Sequence, residues 1–186
     1  MNTYYHKCVQ ITIADDVFDT IHQLINQYTN FQQAGAYSYD GKNKTPSDRR
    51  NSKAHLFYDT KLIDVIEEII RTVNIEYDWN FHLTSFEETQ HIQYNEGCFF
   101  NWHIDENNWT PGKNKFNLMR KLSFTILLND EFTGGEFDVF TTKEQTIPLK
   151  KKDMLIFHSD ILHQVRPILS GTRYALAGWV LGPPWR

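Results

Sequence analysis

Two side chains that could bind a metal ion stand one residue apart in the stretch QHIQYNEGCFFNWHIDE, residues 90–106. They are His103 and Asp105. In an extended segment, residues i and i+2 project to the same side, so an imidazole nitrogen and a carboxylate oxygen could occupy two positions on one divalent ion. The same pattern occurs again at His158 and Asp160, and a short pattern alone does not decide between two pairs.

The position of a third ligand favours the first pair. A metal site in a β structure needs a ligand from another strand, and His163 follows His103 by 60 residues, so a separate strand can supply it. For the second pair, His163 is the only later histidine and the intervening chain is too short for an independent strand. We therefore favour the first pair and interpret His158 as a turn residue or as a satisfied core histidine, meaning a buried histidine whose ring nitrogens are hydrogen-bonded.

Arg173 is a candidate for binding an anion beside this metal site. It follows His163 by ten residues, on the next predicted strand, so the two side chains could approach one cavity. A guanidinium can bind a carboxylate through two parallel hydrogen bonds, which a lysine cannot match geometrically. The alternative is an arginine in a surface ion pair.

The elements that must position these residues are mostly short strands. Helical spacing of apolar residues predicts one helix over 17–28, capped by Asp15 or Asp16, and a second over LIDVIEEIIRTVN, capped by Thr60. Strands are predicted at 7–13, 79–83, 85–94, 98–104, 122–128, 136–141, 146–149, 154–157, 161–165 and 173–180. This pattern predicts a mainly β fold with flanking helices, an antiparallel sandwich or barrel for which the jelly roll is the natural candidate.

Two polar stretches are predicted to be loops. The first, residues 30–53, is long enough that it could contact a substrate. Arg49, Arg50 and Lys53 near its end are predicted to face solvent. The second, residues 107–119, carries Trp109, a candidate stacking surface for a substrate. Plain exposure to solvent is the alternative for both loops.

Composition limits the class of protein. The 186 residues, 40% hydrophobic and 23% charged, predict one domain over 1–186, with a helical part about 1–78 and a jelly-roll core about 79–181. A formal net charge of −4 does not indicate a basic surface for binding nucleic acid. No apolar run approaches the length of a membrane-spanning helix. The N-terminus lacks the apolar core of a signal peptide, and two cysteines, Cys8 and Cys98, are too few for a disulfide framework. A cytoplasmic protein is expected.

Four stretches of the chain resemble the iron(II)- and 2-oxoglutarate-dependent dioxygenases, in particular their prolyl 4-hydroxylase-like branch. These stretches are RRNSKAHLFYDTKLIDVIEEI, IQYNEGCFFNWHID, LSFTILLNDEFTGGEF and KKDMLIFHSDILHQVRPILSGTRYALAGWV, and together they extend over roughly residues 45–181. The resemblance implies a double-stranded β-helix, which is a distorted, cupin-like jelly roll, with the N-terminal helices packed on one side.

The resemblance also implies a role for individual residues. His103, Asp105 and His163 would be the iron ligands, and Arg173 would pair with the distal carboxylate of 2-oxoglutarate. Tyr94 would donate a hydrogen bond from its hydroxyl group to the cosubstrate. Thr125 and Leu127 would line the same pocket. Trp179 would form a wall of the same pocket.

The reaction implied by the resemblance is hydroxylation of a C–H bond, coupled to decarboxylation of 2-oxoglutarate to succinate and CO2. It would require Fe(II), 2-oxoglutarate and O2, with ascorbate as an optional addition. Related halogenases lack the carboxylate that Asp105 supplies, which favours hydroxylation. The expected substrate is a prolyl residue in a peptide or protein. The alternatives are a free amino acid or other small molecule, or a metal-binding jelly roll without oxygenase activity. A monomer or homodimer is expected.

Overall fold

The structure is a computed structural model that describes residues 2–34, 36–37, 43–44, 48–105 and 118–184, with the backbone alone for 36–37 and 43–44. Its helices are α1 (Asp15–Ile25) and α2 (Thr60–Glu76). Its strands are β1 (Thr3–Tyr5), β2 (Cys8–Thr12), β3 (Gln32–Gln33), β4 (Ala36–Tyr37), β5 (Asn43–Lys44), β6 (Arg50–Asn51), β7 (Lys53–Phe57), β8 (Ser85–Phe86), β9 (Thr89–Tyr94), β10 (Phe99–His103), β11 (Met119–Leu127), β12 (Phe132–Gly134), β13 (Phe137–Phe140), β14 (Glu144–Ile147), β15 (Asp153–His158), β16 (Leu162–Val165), β17 (Ile168–Gly171) and β18 (Arg173–Gly182).

Among the described residues, the larger sheet has nine strands and is antiparallel. Its order is β1-β2-β15-β11-β18-β9-β7-β3, with β8 pairing with β18. The two longest strands, β11 and β18, lie side by side near its centre. Almost every residue of β11 is buried, which is the behaviour expected of a strand covered on both faces.

A smaller sheet of five strands packs against one face of the larger one. Its order is β14-β13-β16-β10-β6. Apolar side chains of both sheets form a shared core, including Phe137, Val139 and Val165 from the smaller sheet and Ile92 and Leu155 from the larger one. Two antiparallel sheets with inward-facing side chains confirm the predicted jelly-roll architecture.

The two helices cover the opposite face of the larger sheet, as predicted. Ile21 of α1 and Ile66 of α2 join Leu122 and Ile126 of β11 in a second apolar core. Alternate residues of β11 therefore point towards the helices, and the residues between them point towards the smaller sheet. This leaves Ser123 and Thr125 on the inner face of the sandwich.

The predicted helix caps, Asp15 or Asp16 for the first helix and Thr60 for the second, are wrong by one or two residues. Helix α1 has Ala14 at its N-cap, with no side-chain cap, and the expected cap residue Asp15 lies in the first turn. Helix α2 is capped by Asp59, whose side chain accepts a hydrogen bond from the Leu62 backbone N–H at 3.1 Å. Aspartate at an N-cap satisfies an otherwise unpaired N–H of the first turn, so Asp59 takes the role predicted for Thr60.

The strand predicted at residues 79–83 does not form. Asp78 and Asn80 both adopt positive φ, at 55° and 50°, which is incompatible with a regular strand. The Asn74 side chain then fixes the segment through two hydrogen bonds of 3.0 Å to the backbone of Phe81. The predicted strand 85–94 is also divided, into β8 and β9.

None of the helices in the described part of the chain is both long and apolar enough to cross a membrane.

Candidate active site

Three potential metal ligands converge at one end of the sandwich. His103 at the end of β10 is directly opposite His163 of β16 in the antiparallel ladder. Asp105 follows two residues later, where its backbone N–H donates to Ser159 O at 3.0 Å. The Asp105 carboxylate lies 3.7 Å from His103 Nε2 and 3.6 Å from His163 Nε2. All three ligand atoms lie within 4.8 Å of one another, which fits one ion with two imidazole ligands and one carboxylate.

Hydrogen bonds fix the tautomer of both histidines. His103 Nδ1 lies 2.8 Å from Asn101 O, and His163 Nδ1 lies 2.9 Å from Ile161 O. A carbonyl oxygen can only accept, so each Nδ1 carries a proton, and in the neutral form of each ring the lone pair is then on Nε2, which faces the space shared with Asp105. Burial, together with the neighbouring His163, holds the pKa of His103 well below its ordinary value. A neutral imidazole oriented in this way is the form that binds a metal.

Asp105 is held as a carboxylate by its surroundings. Burial favours the neutral acid, but the combined effect of the groups around it, which include the imidazoles of His163 and His103, is larger, and the pKa of Asp105 lies below its ordinary value. Arg120 acts in the same direction, as does a hydrogen bond from the Trp179 side chain to the carboxylate. The third ligand is thus negatively charged and oriented.

Arg173 lies in the same cavity as the three ligands. It is the first residue of β18, opposite Tyr94 of β9, and its side chain is almost completely buried. Its Nε has no hydrogen-bond partner, and in the described part of the chain no carboxylate pairs with its guanidinium. A buried cation without a counter-ion is costly, so this end of the cavity is suited to an anionic ligand.

Gly135 makes room for the Arg173 side chain. It has a φ of +67°, and a Cβ at this position would lie 3.1 Å from Arg173 Cδ and 2.4 Å from Ile168 Cδ1. A larger residue would therefore be strained in its backbone and would displace its neighbours.

The remaining predicted residues divide into those that line the cavity and those that do not. Tyr94, Thr125 and Trp179 all line it. Leu127 does not: it is buried at the end of β11, opposite Ala175, and its side chain packs in the core instead of reaching the cavity. Trp109 and most of the loop around it lie outside the described residues.

His158 is outside the site, as expected, but it is not a satisfied core histidine. Its Nε2 is buried and has no hydrogen-bond partner in the part of the chain that the structure describes. The ring packs edge-on against Trp79 and Phe81, with centroid separations of 4.7 and 4.8 Å. Burial lowers the pKa of His158 to about 4.

Arg50 is a cavity residue that the sequence analysis placed wrongly on a solvated face. It is only 5% exposed and lines the cavity. Its Nε–H donates to Ser52 Oγ at 2.8 Å and its Nη2 donates to Gln90 Oε1 at 3.1 Å. Its guanidinium lies 4.6 Å from the ring centroid of Phe100, which stacks on His103 at 3.5 Å. The Arg-x-Ser pattern in the first matching stretch could have drawn attention to it.

Arg120 is a second residue that the sequence analysis missed. It forms an ion pair with Glu87, and its guanidinium carbon lies 3.7 Å from the ring centroid of Trp179. Its Nη1 donates to the backbone carbonyl of Asp105 at 3.3 Å. Arg120 therefore contacts both Asp105, a potential metal ligand, and the aromatic residue that hydrogen-bonds to it.

Comparison with protein families gives a match that covers half of the chain. The model described as "2OG-Fe(II) oxygenase superfamily" matches residues 89–181, which contain the three ligands and Arg173. Among curated relatives, a PKHD-type hydroxylase of Prochlorococcus marinus is 26% identical over 184 residues, covering 97% of this chain and 78% of that protein. One of Hyphomonas neptunium is 36% identical over 88 residues, covering 46% of this chain. That match spans only 38% of the Hyphomonas protein's length.

Solved structures share the fold. A viral collagen prolyl hydroxylase of Paramecium bursaria Chlorella virus-1, solved as a 2OG complex, has a TM-score of 0.69 at 21% identity, covering 95% of this chain and 96% of that one. A Pseudomonas putida prolyl-4-hydroxylase has a TM-score of 0.69 at 16% identity, covering 94% and 92%. A Trichoplax adhaerens prolyl hydroxylase, in complex with a peptide fragment of hypoxia inducible factor, has a TM-score of 0.66 at 17% identity, covering 94% and 83%. The predicted double-stranded β-helix is confirmed.

Proposed function

Because this chain belongs to the 2OG-Fe(II) oxygenase superfamily, we propose that it is an Fe(II)- and 2-oxoglutarate-dependent hydroxylase. The observation that carries the proposal is the presence in one cavity of the triad His103, Asp105 and His163 together with the buried guanidinium of Arg173. A metal site alone would fit many functions. A metal site beside a buried cation that has no counter-ion among the described residues fits a cosubstrate that is both a chelator and an anion.

The donor set fits a ferrous ion. Two neutral imidazoles and one carboxylate on one side of an ion are the ligands of non-haem Fe(II) oxygenases, which need the remaining positions open for reactants. Neither cysteine belongs to the cluster of ligand atoms, and a closed thiolate shell is typical of structural zinc. His103, Asp105 and His163 would hold the iron.

Arg173 and its surroundings fit 2-oxoglutarate. The guanidinium would bind the distal carboxylate, and Tyr94 and Thr125 on the same cavity wall would contribute hydroxyl groups. Thr125 is the wall residue that faces the inside of the sandwich from β11. Together these residues would set the position of the cosubstrate relative to the metal ligands.

The bound iron, 2-oxoglutarate and O2 would supply the oxidant for C–H hydroxylation, with release of succinate and CO2. The contribution of the protein is to position the reactants and to exclude water. Phe100, Phe137 and Phe157 line the cavity around the ligands and leave little space for solvent. Asp105 fills the ligand position that related halogenases leave for a halide, so hydroxylation is proposed as the outcome.

For the substrate, we propose a prolyl residue in a peptide or protein. The support is the shared fold with prolyl hydroxylases, one of which was solved with a peptide fragment. A free amino acid or another small molecule is the alternative substrate. A monomer or homodimer, a cytoplasmic location and a single domain over 1–186 stay predictions.

The experiment that tests the proposal is a turnover assay with two readouts. The protein is incubated with Fe(II), 2-oxoglutarate and O2 and with a panel of proline-containing peptides and free amino acids. Succinate formation reports oxygenase activity, and a mass gain of one oxygen atom identifies the substrate. We expect both with at least one prolyl peptide and neither without 2-oxoglutarate.

The same assay separates the alternatives. Oxygen gain in free amino acids alone would support the small-molecule hydroxylase. Binding of Fe(II) without binding of 2-oxoglutarate and without succinate formation would support a metal-binding jelly roll that is not an oxygenase, and it would overturn the proposal.

A further inference from the structure

We propose that Asn129 is a positioning residue for Arg173: its carboxamide takes the place of a strand neighbour and holds the backbone on both sides of that arginine. The inference rests on the proposed function, because it concerns the group that would bind the distal carboxylate of 2-oxoglutarate. Asn129 lies outside the cavity and would act through Arg173.

The geometry is that of a β-ladder completed by a side chain. The paired residues of β11 and β18 end at Leu127 and Ala175. One more backbone hydrogen bond follows, from Leu128 N–H to Tyr174 O at 3.0 Å. Beyond this bond, the Asn129 side chain, and not the backbone, forms the hydrogen bonds to the chain at Thr172 and Tyr174. Its Oδ1 accepts from the Tyr174 N–H at 2.8 Å, and its Nδ2 donates to Thr172 O at 2.8 Å.

A carboxamide has the same donor and acceptor as a peptide group, so it can replace one in a ladder. The replacement is needed because the chain turns away from the sheet after Asn129. There Asp130 accepts from the Lys151 backbone N–H at 2.7 Å, and β12 pairs with β17 instead of with β18.

The two hydrogen bonds of Asn129 lie on either side of Arg173 in the chain. Arg173 is the first residue of β18, and strand ends fray more readily than strand centres. On one side its backbone is paired with Tyr94 of β9. On the other side, Asn129 binds Thr172 and Tyr174, the residues immediately before and after Arg173. With both sides held, the Cα–Cβ direction of Arg173 is fixed.

That direction controls the guanidinium. The side chain of Arg173 is long and buried, and its Nε has no hydrogen-bond partner that would correct a small rotation at Cα. Bidentate binding of a carboxylate requires a defined orientation of the guanidinium. Loss of the Asn129 bonds is therefore expected to weaken binding of the distal carboxylate without changing the metal ligands.

The test uses Asn129→Ala with Asn74→Ala as a matched control. The Asn74 side chain also makes two hydrogen bonds to backbone, both to Phe81 and both of 3.0 Å. Asn74 is in α2, does not line the cavity and is only 7% exposed, so its loss should cost at least as much stability. Thermal unfolding measures stability in both variants. Anaerobic titration of the Fe(II)-loaded proteins with 2-oxoglutarate measures the dissociation constant.

We expect Asn129→Ala to raise the dissociation constant of 2-oxoglutarate about tenfold. Its Fe(II) affinity, measured without 2-oxoglutarate, should equal that of the wild type. The KM for 2-oxoglutarate should rise while kcat is retained. Asn74→Ala should lose stability but keep its 2-oxoglutarate affinity within about twofold of the wild type.

Equal 2-oxoglutarate affinity in the wild type and Asn129→Ala, with reduced stability in the variant, would mean a merely structural role and would overturn the inference alone. Failure of the wild type to bind 2-oxoglutarate would overturn the proposed function and this inference with it. If Asn129→Ala does not fold, Asn129→Asp keeps the acceptor towards Tyr174 and loses the donor towards Thr172. Wild-type affinity in that variant would also overturn the inference.

Discussion

His103 and His163 face each other across two neighbouring strands, and each donates its Nδ1–H to the carbonyl oxygen two residues earlier in the chain. The repeated local bond gives both rings the same tautomer. Each Nε2 is therefore available as a ligand atom before any metal binds. A site prepared in this way loses little conformational freedom on binding.

Replacing one of these histidines should remove the metal. We expect His103→Ala to bind Fe(II) at least about a hundredfold more weakly and to form no succinate, because the two remaining ligands, Asp105 and His163, would not hold the ion in place. Metal titration and a succinate assay measure this, and circular dichroism checks the fold. His158→Ala removes the other histidine of a His-x-Asp pair and serves as the control. Loss of metal in His158→Ala, with retention in His103→Ala, would show that the ligand assignment is wrong.

The guanidinium of Arg173 should determine binding of 2-oxoglutarate. A hydrogen bond to a charged group is worth about 1.5–3 kcal/mol, so Arg173→Ala should raise the dissociation constant more than about tenfold. The dissociation constant of Arg173→Lys should lie between those of the wild type and Arg173→Ala, because lysine keeps the charge but lacks the planar pair of donors. Arg71→Ala, on the exposed side of α2 in an ion pair with Glu67, is the control. An unchanged affinity in Arg173→Ala would refute the assignment.

Arg120 should affect the metal through Asp105. Arg120→Ala removes the hydrogen bond to the Asp105 carbonyl and the stacking on Trp179, which itself hydrogen-bonds to the Asp105 carboxylate. Each such contact is worth about 1 kcal/mol, so Fe(II) should bind about fivefold more weakly. Metal titration measures the change, with thermal unfolding recorded in parallel. Reduced stability with wild-type metal affinity would contradict a positioning role.

His158 should make the stability of the protein depend on pH. Its pKa is about 4 in the folded protein against an ordinary value of 6.5, and burial is the main cause, with Asp160, Lys7 and His6 nearby. The unfolded chain therefore binds more protons, so this contribution to stability is complete above pH 6.5 and is lost as the pH falls towards 4. After allowance for the partial exposure of the ring, the loss is about 1–2 kcal/mol.

Urea unfolding of the metal-free protein across this pH range tests the prediction. His158→Phe keeps a ring between Trp79 and Phe81 but cannot be protonated. Its free energy of unfolding should decrease less than that of the wild type as the pH falls. Since both proteins contain His103 and His163, the difference between the two curves isolates His158. Parallel curves would contradict the prediction.

The sequence predicted the core of the site because its residues obey local rules. His103 and Asp105 are two residues apart, and His163 and Arg173 each lie on a recognisable strand. Arg120 was missed because tertiary contacts alone bring it to Asp105 and Trp179, and Arg50 was assigned to the wrong environment. Arg50 ends a polar stretch that reads as a solvated face, and Arg120 and Glu87 are 33 residues apart in the chain.

The errors in the fold have similar causes. Residues 79–83 have the apolar and aromatic composition of a strand, but the positive φ of Asp78 and Asn80 and the hydrogen bonds of Asn74 to Phe81 prevent one. Leu127 has the right alternation to face the cavity, yet it lies at the end of β11 and packs in the core. Alternation predicts which face a residue occupies, and it does not predict how far the cavity extends along that face.

Strand β18 carries cavity residues from its first residue, Arg173, to Trp179. Arg173, Ala175, Ala177 and Trp179 are alternate residues, and all four line the cavity. An insertion of one residue among them would turn either the arginine or the tryptophan to the outside. The distance along the strand between Arg173 and Trp179 can therefore change only by a full pleat of about 7 Å. The spacing of these two side chains along the cavity wall is thus determined by the backbone of the strand.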